Sequence, residues 1–99
     1  MKVNAKIWLK VVELGYPEII AEVEGITMPL NDTAEEIEEW LRLEKDLICR
    51  VHPNKKRSFS PEVRRVGEFS NYIIKTNRTA SKSYDIARMS AIKIALRQL

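Results

Sequence analysis

One cysteine and one histidine among 99 residues leave no pair for an internal disulfide and no Cys/His set large enough for a structural zinc site. Glycine and proline are sparse as well, at three and four, which excludes a collagen-like or low-complexity chain. No apolar run approaches the roughly 18 residues of a membrane span. The first ten residues space Lys2, Lys6 and Lys10 through their apolar positions, unlike the apolar core of a signal peptide. A glycine-rich phosphate loop, a nucleophile elbow and a histidine with an evident acid partner are all missing. These absences set the expectation of a soluble, cytoplasmic single domain over residues 1–99 that is not an enzyme and needs no cofactor or metal.

What the chain does have is charge, unevenly placed. Residues 1 to 46 carry five Lys/Arg against eleven Asp/Glu, or −6, and residues 47 to 99 carry twelve against three, or +9. Halves of opposite sign point either to a basic face aimed at a polyanion or to self-complementary docking of two copies.

Residues 3 to 12 alternate, with Val3, Ala5, Ile7, Leu9 and Val11 on one side, and predict a strand. Residues 18 to 24 alternate again after the Gly15-Tyr16-Pro17 turn, so the two should pair as a hairpin, with Gly25 marking a bulge or an end. Asp32 or Thr33 can cap a helix whose stripe is Ala34, Ile37, Trp40 and Leu41. Its glutamates, 35, 36, 38 and 39, sit near the positive end of the helix dipole and read as a solvated turn. Residues 47 to 51 read as a strand that places Cys49 in the core. Ser60-Pro61-Glu62 reads as the start of a short helix over 61 to 66, stopped by Gly67. A further strand over 68 to 76 and a long helix from about 79 to 98 complete the chain. The expected fold is α+β: a small antiparallel sheet of three or four strands, in the order β-β-α-β-short α-β-α, with the long C-terminal helix packed on one face.

Three groups of residues are candidates for binding phosphates. The stretch 52 to 67, HPNKKRSFSPEVRRVG, holds Lys55, Lys56, Arg57, Arg64 and Arg65 against Glu62 alone, a local +4 that exceeds the whole net charge of +3. On a short helix Arg64 and Arg65 would straddle a phosphate backbone, with Lys55, Lys56 and Arg57 supplying affinity by counterion release. The bland alternative is a solvated loop. Arg78, Ser81 and Lys82 crowd the start of the last helix, where cations oppose the dipole and a bound phosphate would reverse that cost. Hydroxyls that merely cap the helix are the alternative there. Lys6, Trp8 and Lys10 share one face of the first predicted strand, an arrangement that can stack a base and hold its backbone. Trp8 covered by a neighbouring element is the competing reading.

The last helix, Ser83-x-x-x-Ala87-Arg88-x-x-Ala91-x-Lys93-x-Ala95-Leu96, resembles the closing helix of double-stranded RNA-binding domains, in which a helix and three strands come first. Residues 33 to 76 fit that order. Tyr84-Asp85 stands where that family has its phosphate-binding lysine pair. The main expectation is a small, non-enzymatic nucleic-acid-binding or accessory protein, for DNA or RNA, that contacts phosphates through its basic second half. The alternative is a protein-interaction module, a small regulator or inhibitor that docks on a partner or forms a dimer through its acidic and basic halves. A divergent double-stranded RNA-binding-like domain is the third reading.

Overall fold

Asn4 decides the first element. Its side chain accepts a hydrogen bond from the Ile7 amide at 2.9 Å and caps a helix, α1 (Ala5–Glu13). The computed structural model describes residues 1–67, the backbone of 71–76, and residues 80–99. The strand expected over residues 3 to 12 is thus a helix. Val3, Ile7 and Val11, four apart, satisfy a helical stripe as well as an alternating one, and all three are buried. Beyond α1, the hairpin forms within the next segment, between β1 (Ile20–Val23) and β2 (Ile26–Pro29). Val23 faces Ile26, and the two residues between them, Glu24 (φ 53°) and Gly25 (φ 77°), both take the left-handed conformation of a type I′ turn. Gly25 is therefore the turn itself.

Asn31, buried to 4% exposure, ties the base of this hairpin. Its Oδ1 accepts from the Ile19 amide at 3.0 Å, its Nδ2 donates to the Pro17 carbonyl at 2.6 Å, and its own carbonyl accepts from the Tyr16 hydroxyl at 2.6 Å. α2 (Ala34–Lys45) starts at Thr33, whose hydroxyl caps it by accepting from the Glu36 amide and in turn donates to the Glu36 carboxylate. Tyr16 joins α1 to α2 through edge-to-face contacts with Trp8 (5.8 Å between centroids) and Trp40 (5.3 Å).

β3 (Leu47–Pro53), β4 (Phe59–Val66) and β5 (Asn71–Thr76) form an antiparallel sheet in that order, with a register shift between Val63 and Arg64 along the β4–β5 edge. The short helix expected over 61 to 66 is part of β4. Pro61 removes no bond to β3: Phe59, two residues earlier, gives its amide to Ser81, so the nitrogen of Pro61 also faces away from β3. α3 (Tyr84–Leu96) packs with α2 on one face of the sheet, where Ile37, Leu41, Leu47, Val63 and Ile92 are fully buried. Among the described residues the topology is α+β, with two small antiparallel sheets and three helices, in the order α-β-β-α-β-β-β-α. The radius of gyration, 14.5 Å, exceeds the roughly 13 Å of a compact chain this long, and the extents of 47 × 34 × 16 Å describe a thin plate. No helix among the described residues is long and apolar enough to cross a membrane.

Candidate nucleic-acid interface

The loop between β3 and β4 carries Lys55, Lys56 and Arg57, all exposed. It is closed by Asn54, whose amide donates to the Ser58 carbonyl at 2.7 Å and whose Nδ2 donates to the Ser58 and Ser60 hydroxyls. Arg57 takes φ 53°, the left-handed turn that reverses the chain. Directly after the loop, Phe59 pairs with Ser81 as an isolated antiparallel bridge, with reciprocal backbone bonds of 2.6 and 2.8 Å. The Phe59 ring also meets Tyr84 edge to face at 5.6 Å. Two segments far apart in sequence, the basic loop and the start of α3, thus lie side by side, and exposed Lys82 joins Lys55, Lys56 and Arg57 at one end of the sheet.

The hydroxyls at this helix start are already engaged. Ser83 Oγ accepts from the Ile86 amide at 3.3 Å as the N-cap, and Ser81 Oγ accepts from the Ser83 amide at 3.1 Å. They order the backbone and leave the anion-facing role to Lys82. Arg78 lies outside the described residues. The helix begins at Tyr84, whose ring is 47% exposed next to the basic loop. Its place one residue after the serine cap puts Tyr84 on the surface rather than on the buried apolar face of the helix.

Arg64 and Arg65 are not part of this end. They occupy β4, opposite Ile48 and Leu47, so they do not ride a fixed turn. Arg64 Nε binds the Glu62 carboxylate, and His52 Nε2 lies 2.5 Å from the other Glu62 oxygen. The histidine therefore does have an acid partner, one strand away, which linear spacing did not reveal. Burial would raise the Glu62 pKa, but Arg64 and His52 outweigh it and hold the carboxyl below its ordinary value. This is a structural ion-pair cluster on the sheet face away from the helices.

Lys6 and Lys10 are carried away by α1. They line a groove of about 650 Å³ with Lys93 and Arg97 from the far end of α3, roughly 20 Å along that 13-residue helix from its start. Trp8 is half-buried against the core and meets Tyr16 edge to face. The glutamates of α2 are only partly solvated: Arg88 from α3 binds Glu38 through Nε at 2.8 Å and Glu35 through Nη1 at 2.8 Å. These bonds, first of all those to Glu38, raise the Arg88 pKa. Cys49 is packed under α3 with its thiol 3.7 Å from the Ala91 carbonyl, and burial pushes its pKa up to about 12. Among the described residues no three His, Cys, Asp or Glu side chains are grouped to hold a metal.

No family model matches the chain, and no curated protein or solved structure is significantly similar to it.

Proposed function

We propose that the protein is a non-enzymatic nucleic-acid-binding or accessory protein that grips a phosphate backbone with the end of the sheet bearing Lys55, Lys56, Arg57 and Lys82. The observation that carries this reading is the Phe59–Ser81 bridge, which fixes a basic loop against a helix start and so holds four cations together on backbone hydrogen bonds. Tyr84, exposed beside them, adds a ring on which an unpaired base can stack. Lys6, Trp8, Lys10, Arg64 and Arg65 have no part in this contact.

Double-stranded RNA is the specific ligand favoured by one feature, the order α2-β3-β4-β5-α3 with both helices on one face of the sheet, which follows the family that the last helix resembles. The acidic start of α2 argues for contact through the loop and α3 only. The test is binding of the full chain to duplex RNA, duplex DNA and single strands, followed by fluorescence anisotropy across a salt series. Four phosphate contacts predict a slope of log K against log salt of about −3.6 on a duplex, and replacing Lys55, Lys56 and Arg57 with Ser should reduce it to about −0.9. Absent binding at about 50 mM salt, or affinity and slope unchanged in that variant, would refute the proposal.

A further inference from the structure

The β1–β2 hairpin exposes an apolar face that no other element covers among the described residues. Cross-strand pairing places Ala21, Val23, Ile26 and Met28 on the same side of the ribbon, with Ile26 at 64% and Val23 at 52% exposure. Glu24 stands at the tip and Glu22 on the reverse side of the four-residue strand. A two-stranded ribbon is marginal in water by itself and gains stability when its apolar face is covered.

The groove between α1 and the end of α3 has the opposite character. Its floor is apolar, made by Ile7, Leu9 and Leu96, and Leu9 is 68% exposed. Its rim carries four cations, Lys6, Lys10, Lys93 and Arg97, against the single acid Glu13. A leucine so exposed in the middle of a helix, ringed by cations, is shaped for an acidic apolar guest.

We infer that the groove receives the β1–β2 hairpin of a second copy of this chain, so that two copies associate reciprocally, each hairpin in the other's groove. The match is one of both kinds: apolar Val23, Ile26 and Met28 against an apolar floor, and Glu24 at the tip, its negative field reinforced by Glu22 on the reverse side, against a cationic rim. A two-fold arrangement makes the contact twice and closes, leaving neither surface free for chain growth. The acidic start of α2, by contrast, is partly consumed within the chain by Arg88 and does not serve this contact.

Sedimentation velocity and light scattering on the full chain, over roughly 1 to 200 µM, should show a species of twice the 11.5 kDa chain mass. Two charge-reversed variants make the test specific, since all four altered side chains are exposed: Lys6→Glu with Lys10→Glu, and Glu22→Lys with Glu24→Lys. Each alone brings like charges together twice per dimer and should weaken association roughly a hundredfold. Mixed in equal amounts they regain the dimer, because one contact is then the native pair and the other sets the reversed hairpin against a rim in which two of the four cations are reversed. Leu9→Asp should be monomeric with an unchanged far-ultraviolet spectrum. A monomer throughout the concentration range, or a mixture that stays monomeric while both variants are folded, overturns the inference.

Discussion

Replacing Glu62 with Gln tests the electrostatic account of the sheet. The carboxylate is 4% exposed, bound by Arg64 Nε and approached by His52 Nε2. Glutamine keeps the size and one acceptor for Arg64, so the loss is the difference between a charge-assisted and a neutral hydrogen bond plus the attraction of His52. Those bonds are worth about 1.5–3 and 0.5–1.5 kcal/mol respectively, and both partners of the carboxylate keep some contact with water. A loss of about 1–2 kcal/mol at pH 7 follows, or roughly 5–15 °C in Tm for a domain of this size. The pH dependence gives a sharper check. Because the folded-state pKa of Glu62 is lowered, its stabilisation is complete above the unfolded value of about 4.3 and is lost as the pH falls through the folded value. Urea unfolding of both proteins, followed by far-ultraviolet circular dichroism between pH 7 and pH 2.5, should show a constant gap at the high end that closes as the medium becomes acidic. Equal stability at pH 7, or a gap that widens on acidification, would refute the reasoning.

Two further outcomes concern single residues. Asn31→Ala removes two side-chain bonds to the backbone at the hairpin base and should cost about 2–3 kcal/mol. Amide exchange at Ile19, whose proton Asn31 accepts, should accelerate ahead of exchange in β3, and unchanged protection at Ile19 would contradict the clamp. Cys49, with its thiol pushed up to about 12 by burial, should resist a thiol reagent at pH 8 in the folded protein and react fast in denaturant. Equal rates would place the thiol at the surface.

The parts legible in the sequence are those with a local chemical signature. Thr33 and Glu36 announce the start of α2, whereas the last helix, expected from about residue 79, begins only at Tyr84 behind the Ser83 cap. The alternation around Cys49 marks β3 as the strand it is. Errors arose where one spacing serves two periods or where a cap signal has no helix behind it. Val3, Ile7 and Val11 fit both patterns, and the capping role of Asn4, which breaks the tie, depends on three residues of backbone geometry. Ser60-Pro61-Glu62 looks like a helix start, but Phe59, Pro61 and Val63 also alternate with Ser60, Glu62 and Arg64, and pairing with β3 selects the strand. At the candidate interface the loop cations were evident from charge counting. That Lys82 joins them while Lys6, Lys10, Arg64 and Arg65 do not is a matter of tertiary placement, set by the Phe59–Ser81 bridge and by α1 being a helix. The partners of Arg88 and His52 were hidden for the same reason, since each lies on a different element.

The Phe59–Ser81 bridge has a thermodynamic consequence. Its two halves come from the sheet and from the approach to α3, so the four-cation end exists only while that helix is seated. A polyanion holding both halves binds the seated state alone and must stabilise it by mass action, by about 2.7 kcal/mol when present at a hundred times its dissociation constant. Protection of the α3 amides would then report occupancy of a site that those amides never touch.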